Sequence, residues 1–241
     1  MPRRALIIIA GLAIAGLLVV GAAAAYVLRT PAASSGEFTA IPVLPTAAQA
    51  TEAEVAPATD APAGVIVLEI VQAESEARFI INEILNGNPK TVVGVTDQVA
   101  AQIIVDVNNP ANTQMGVVQV NARTLVTDSG NRNRAIQNQI LDTGEFEFIT
   151  FTPTSFIHFP TGGAVGDTFT FHMVGDLTIR AITQEVAFEV TVTAESGTRL
   201  RGLASTTIQR EAFDLTIPSV PQVAGVDESV LLELEFVAQA Q

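Results

Sequence analysis

Two histidines, His158 and His172, and no cysteine are what this chain offers toward metal or nucleophilic chemistry. A zinc centre or a catalytic base needs such groups with partners at defined geometry. His158 stands between Phe156 and Phe159, where partial burial is expected, and His172 alternates with apolar residues and so faces solvent. No HExxH, GxSxG, phosphate-loop or EF-hand spacing occurs. Carboxylates come closer to a pattern, at Glu145/Glu147 and Glu233/Glu235. Glycoside hydrolysis would need two acids facing each other across a sugar, one with a raised pKa. Acids two apart on a strand share one face, and the simpler account is a solvent surface. The expectation is therefore no enzyme, no metal and no cofactor.

Two other groups point to binding. Arg132 and Arg134, on a short helix beside a cavity mouth, could grip a phosphate or carboxylate head group; otherwise they offset an acidic surface. Phe148, Phe151, Phe156, Phe169 and Phe171 belong to a crowd that also includes Phe146 and Phe159. They either fill an ordinary core or line a cavity for a greasy ligand, and composition does not separate the two.

The elements that must position these residues are strands. In Thr168–Ala194 the residues Phe169, Phe171, Met173, Leu177 and Ile179 share one parity, and Thr168, Thr170, His172, Asp176 and Thr178 the other. After a break at Ala181–Gln184, Val186, Phe188, Val190 and Val192 resume the dry side. A period of two means one wet and one dry face, and long strands in succession imply a curved antiparallel sheet around an apolar interior. Further strands are expected at Ile66–Ile70, Glu76–Glu83, Val92–Val107, Met115–Asn121, Arg199–Arg210 and Ser229–Ala238. Asn131–Leu141 breaks the rhythm; Ile136 and Ile140 fit a helical face that Asp128 or Ser129 could cap. The fold class is all-β, antiparallel, with about eight strands or more and one short inserted helix.

The chain has 241 residues and a net charge of −13, enough for one domain with accessory segments. Such acidity repels a phosphate backbone, which argues against nucleic acid as a partner. Ala5–Leu28 carries no charge in 24 residues and follows Arg3 and Arg4. That reads as a transmembrane anchor within 1–29 with an exported remainder. A cleaved signal peptide ending near Ala22-Ala23-Ala24 is the alternative, and length favours the anchor. Residues 30–63, rich in Ala, Pro and Thr, read as a disordered linker that could reach on the order of 100 Å. The folded domain spans 64–241.

Gly175-Asp176-Leu177-Thr178-Ile179, followed by Ile182-Thr183 and Val186, resembles the signature of YceI-like domains. Leu125-Val126-Thr127-Asp128 with Arg132-Asn133 and Ile136, then Phe148-Ile149-Thr150-Phe151 and Phe213-Asp214, fit that family in order and spacing across Gly64–Ala238. The departures are Asn133 in place of a usual Asp, Ala135 where a His is common, and Ala181 for a frequent Gly. The resemblance implies a lipocalin-like barrel whose long cavity binds a polyisoprenoid or similar lipid. Joined to the anchor, it gives a membrane-tethered, extracytoplasmic lipid-binding protein; a non-catalytic structural or adhesive β module on a stalk is the alternative. The ligand site is then Phe148, Phe151, Phe156, Phe169 and Phe171 as lining, with Arg132 and Arg134 at the head group.

Overall fold

The computed structural model describes residues 30–36, 38–43 and 64–240. The expected anchor within 1–29 and most of the expected linker lie outside the described residues. Among those described, no helix is long and apolar enough to cross a membrane.

Thirteen strands form one antiparallel sheet: β1 (Val65–Ile70), β2 (Glu76–Leu85), β3 (Asn88–Thr96), β4 (Val99–Ala100), β5 (Gln102–Asp106), β6 (Gln114–Met115), β7 (Val118–Asn121), β8 (Phe148–Ile157), β9 (Thr168–Ile179), β10 (Ile182–Ser196), β11 (Arg199–Gln209), β12 (Val223–Val226) and β13 (Ser229–Ala240). The main path runs β4-β7-β8-β9-β10-β11-β13-β1-β5-β6, and β13 also pairs with β2. β4 begins this path and β5 stands next to its far end, yet only Ala101 separates them in the chain. The sheet is therefore curled and barrel-like, with its two margins brought together along residues 99–106.

The long strands follow the expected parity. In β9, Phe171, Met173, Leu177 and Ile179 are buried while Thr168, Thr170 and Asp176 are exposed. Twelve residue pairs join β9 to β10. On the wet face Thr168–Thr193, Thr170–Thr191 and Thr178–Thr183 join hydroxyls at 2.8, 3.1 and 2.8 Å. The Asn86-Gly87 turn between β2 and β3 has φ of 51° and 80°, the doubly left-handed geometry of a tight hairpin, which this pair adopts at little cost.

The margin is where the structure departs from the sequence pattern. Val92–Val107, expected as one strand, is divided among β3, β4 and β5, and Met115–Asn121 between β6 and β7. Val99, Ala100 and Ala101 are all buried, so both faces are covered here and alternation has no meaning.

The inserted helix is α1 (Gly130–Ala135), continued by a π-helical turn, Ile136–Ile140. The Ser129 hydroxyl accepts the Arg132 N–H at 3.4 Å, an N-cap as expected. Asn133, which replaces the family's usual Asp, accepts from the Thr127 N–H (2.8 Å) and hydroxyl (2.7 Å). Its amide oxygen supplies the acceptor a carboxylate would, without the charge. Ile136, Leu141, Phe213 and Leu215 join the core cluster beside Ile179 and close the end of the sheet where β9 turns into β10.

Residues 30–36 and 38–43, expected within a free linker, run along the outside of the sheet. Asn121, 1% exposed, donates to Ser34 Oγ (2.9 Å) and Gln98 Oε1 (2.8 Å). The Ser35 N–H and hydroxyl donate to Glu147 Oε1 at 2.8 and 2.9 Å. Arg123 Nη1 bridges Ala33 O (3.1 Å) and Glu147 (2.8 Å). Phe38 stacks on Phe148 with centroids 5.1 Å apart, and the Val43 N–H donates to Gln102 at 2.8 Å. The composition rule for linkers weighs apolar burial, and this segment is held mainly by polar bonds to partners distant in sequence.

Candidate functional site: an apolar cavity

Inside the curl lies a cavity of about 610 Å³. That size falls within the several hundred to about 1,000 Å³ common for ligand sites. Its wall is built from the dry faces of strands: Ile66, Leu68 and Ile70 of β1, Ile103 and Val105 of β5, Leu177 and Ile179 of β9, Val190 and Val192 of β10. Phenylalanines cluster in two places. Phe156, Phe159 and Phe171 form a mutual group with centroids 4.8–6.0 Å apart, and Phe151 meets Phe188 edge-on at 4.9 Å. Edge-to-face rings of this kind make a firm apolar surface with little side-chain freedom to lose.

The cavity reaches the surface at one end. Val107, after β5, and Val165, between β8 and β9, both line it and are 53% and 62% exposed. Pro110, Thr113, Thr161 and Ser196 complete this mouth. The opposite end is closed by the π-helical turn Ile136–Ile140 with Leu141, and by the Arg210–Phe213 turn with Leu215.

Charged groups at the wall are bound to one another. Arg199, at the mouth, donates to Glu74 and Glu195, each at 2.7 Å. Its hydrogen bond is the main cause that lowers the Glu74 carboxyl, and bonds from Arg201 and then Arg199 lower Glu195. Arg78 is clamped by Glu233 (2.6 Å) and Glu235 (2.7 Å), hydrogen bonds that raise the guanidinium pKa. The Glu233/Glu235 pair is thus one half of an ion-pair clamp, and Glu147 of the Glu145/Glu147 pair is engaged by the outer segment 33–35. Among the described residues no three His, Cys, Asp or Glu side chains gather to hold a metal. His158 is exposed, with a left-handed φ of 59° at the end of β8, and not the partly buried residue expected.

Of the expected site residues, Phe151, Phe156, Phe169 and Phe171 line the cavity. Phe148 does not, and a bulge explains why. The β8–β9 register shifts between Pro153 and Ser155, so Phe151 (opposite Leu177) and Phe156 (opposite Met173) both face inward despite opposite parity. Phe148 lies before the bulge on the outer parity, under Phe38. Arg132 and Arg134 stand on α1, at the closed end. Arg132 is paired with Glu83 (2.6 Å) and Asp128 (2.5 Å), and Arg134 donates to Asn131 at 3.4 Å. Phe79, Phe188 and Phe236 belong to the wall as well. The dry parity of β10 and β13 carries the signal for the last two.

The family model of the YceI-like domain matches residues 68–238. The chain belongs to the YceI-like family. No curated protein matches it in sequence. Among solved structures, this YceI-like domain is similar to Burkholderia cenocepacia BcnA at 19% identity and a TM-score of 0.57, over 70% of this chain and 99% of that one. It is similar also to a polyisoprenoid binding domain from Saccharophagus degradans implicated in plant cell wall breakdown. There the identity is 13% and the TM-score 0.57, over 73% of this chain and 99% of that one. At these identities the likeness is one of fold.

Proposed function

We propose that this YceI-like protein is a membrane-tethered, extracytoplasmic binding protein that holds a polyisoprenoid or similar long-chain lipid in its cavity. One observation carries the reading: a continuous apolar wall around about 610 Å³ that opens at one end, with its charged groups already paired. Such a wall gains affinity by burying hydrocarbon, at roughly 25 cal/mol per Å² of apolar surface, and asks for few polar contacts. The Saccharophagus degradans neighbour, described as a polyisoprenoid binding domain, supports the ligand class. The uncharged segment Ala5–Leu28 behind Arg3 and Arg4 supports the tether and the extracytoplasmic side.

Native mass spectrometry of the full chain, released from detergent micelles, tests this. The expected spectrum has a discrete added mass that yields an isoprenoid or other long-chain lipid on organic extraction. A bare mass that stays bare when an all-trans polyprenol is offered overturns the reading in favour of a display module with a collapsed core.

A further inference from the structure

Residues 30–36 and 38–43 stand between the apolar segment and the domain, and the way they are bound fixes how the domain would sit. Ala33, Ser34 and Ser35 are held by Arg123, Asn121 and Glu147, which flank the start of β8 and the end of β7. That is the closed end: β9 finishes there at Ile179, and the π-helical turn is tied to the same stretch, Gln137 donating to Arg123 O at 2.9 Å. From Ser35 the segment climbs, through Phe38 on Phe148, to Val43 at Gln102. The chain next enters the sheet at Gly64, whose carbonyl accepts the Val107 N–H at 2.9 Å, at the mouth. The direction is therefore from closed end to mouth.

Thr30 is three residues before Ala33, within about 10 Å of it along a fully extended chain. The uncharged stretch ends at Leu28, so little chain is left to act as a stalk. Between the two ends of the domain run the 12 residues of β9. At about 3.3 Å per residue that is on the order of 35–40 Å along the strand, and the roughly 35–45° tilt of strands in a barrel leaves about 30 Å between the two ends.

Resting on the tethered reading above, we infer that residues 30–36 and 38–43 form a clasp that seats the closed end of the domain on the membrane and points the cavity mouth away from it. The clasp is multivalent: two bonds from Ser35, two through Ser34 (from Asn121 and to Gln98), one at Ala33, a ring stack at Phe38, a bond from Gln72 to the Phe38 carbonyl (2.6 Å) and a bond at Val43 must all release before the domain can tumble. The mouth then exchanges ligand with a second apolar surface that approaches from the aqueous side. Val107 and Val165 are the residues it meets first.

The chain has no cysteine, so single-cysteine variants label cleanly. Full-length Glu145→Cys, at the closed end, and Val165→Cys, at the mouth, would carry the same donor dye. Each would be reconstituted in phosphatidylcholine vesicles containing an acceptor-labelled phosphatidylethanolamine. Energy transfer to the membrane is expected to be several-fold stronger from position 145 than from 165. The double change Ser35→Pro with Phe38→Ala breaks the clasp without touching the cavity, and should bring the two positions together. Equal transfer in the parent chain, stronger transfer from 165, or an unchanged difference after the clasp is broken each overturns the inference. If the chain fails to float with vesicles, the tether and this orientation fall together, while the lipid adduct in the mass spectrum still decides the ligand reading.

Discussion

Ala204 separates a ligand cavity from a merely loose core at the level of one residue. It lines the cavity on β11, is buried, and lies opposite Val190 and Leu234. In a filled core, Ala204→Phe would overpack and cost about 1–3 kcal/mol. Facing a void, the added ring occupies space that a ligand would use. The expected outcome is an unfolding midpoint in denaturant equal to or above the parent's, with uptake of a fluorescent polyprenol abolished. The phenylalanines show what a sequence reveals at this scale. Phe169 and Phe171 were legible from parity alone. Phe148 was not: it shares its parity with Phe156, and the extra residue at Pro153–Ser155 exchanges inner and outer positions, so Phe156 lines the cavity as expected while Phe148 faces out; Pro153, a proline within a strand, is the local signal for that bulge.

At the scale of elements the strands with one wet face, β9, β10 and β13, were legible almost to the residue. β4 to β7 were not, because the clasp covers their outer side and removes the alternation. The clasp itself has no local signature: the partners of Ala33, Ser34 and Ser35 are Arg123, Asn121 and Glu147, all distant in sequence. Arg132 illustrates the same limit. Its type suggested an anion site, and its surroundings, Glu83 and Asp128, make it a brace between β2 and α1. The clasp gives an element-level pH dependence. Burial alone would raise the Glu147 carboxyl, but the Ser35 N–H and hydroxyl, the Arg123 charge and the Asn121 amide outweigh it and hold it lowered. A lowered carboxyl contributes stability that is complete above the ordinary glutamate value and is lost as pH falls through the lowered one. Hydrogen exchange should show Ser35 protected near neutrality and unprotected in acid. In Glu147→Gln that protection should be weak at every pH, because the charge-assisted bonds are gone.

The whole molecule carries a net charge of −13, with nine basic residues against 21 acidic from residue 64 onward. A domain so charged is repelled by an anionic surface, and the repulsion reaches about 10 Å at 0.1 M salt and about 3 Å at 1 M. Uptake of a fluorescent polyprenol should therefore be slower from phosphatidylglycerol vesicles than from phosphatidylcholine vesicles at low salt. Added salt should erase the difference, and stopped-flow fluorescence would read it. A rate indifferent to lipid charge at low salt would mean that the mouth approaches the donor through a locally uncharged surface.

The pairing of β1 with the last residues of β13 sets an order of events. Leu68 lies opposite Ala240, so the wall of the cavity is completed by joining the first strand of the domain to its last. Nearly the entire domain must be synthesised before that join can form, and contacts so distant in sequence are the slow ones to make. An emerging chain thus has half a wall and exposed phenylalanines, with no enclosed space to receive a guest. On the lipid-binding proposal, filling is a step of the finished protein's life, separate from its birth.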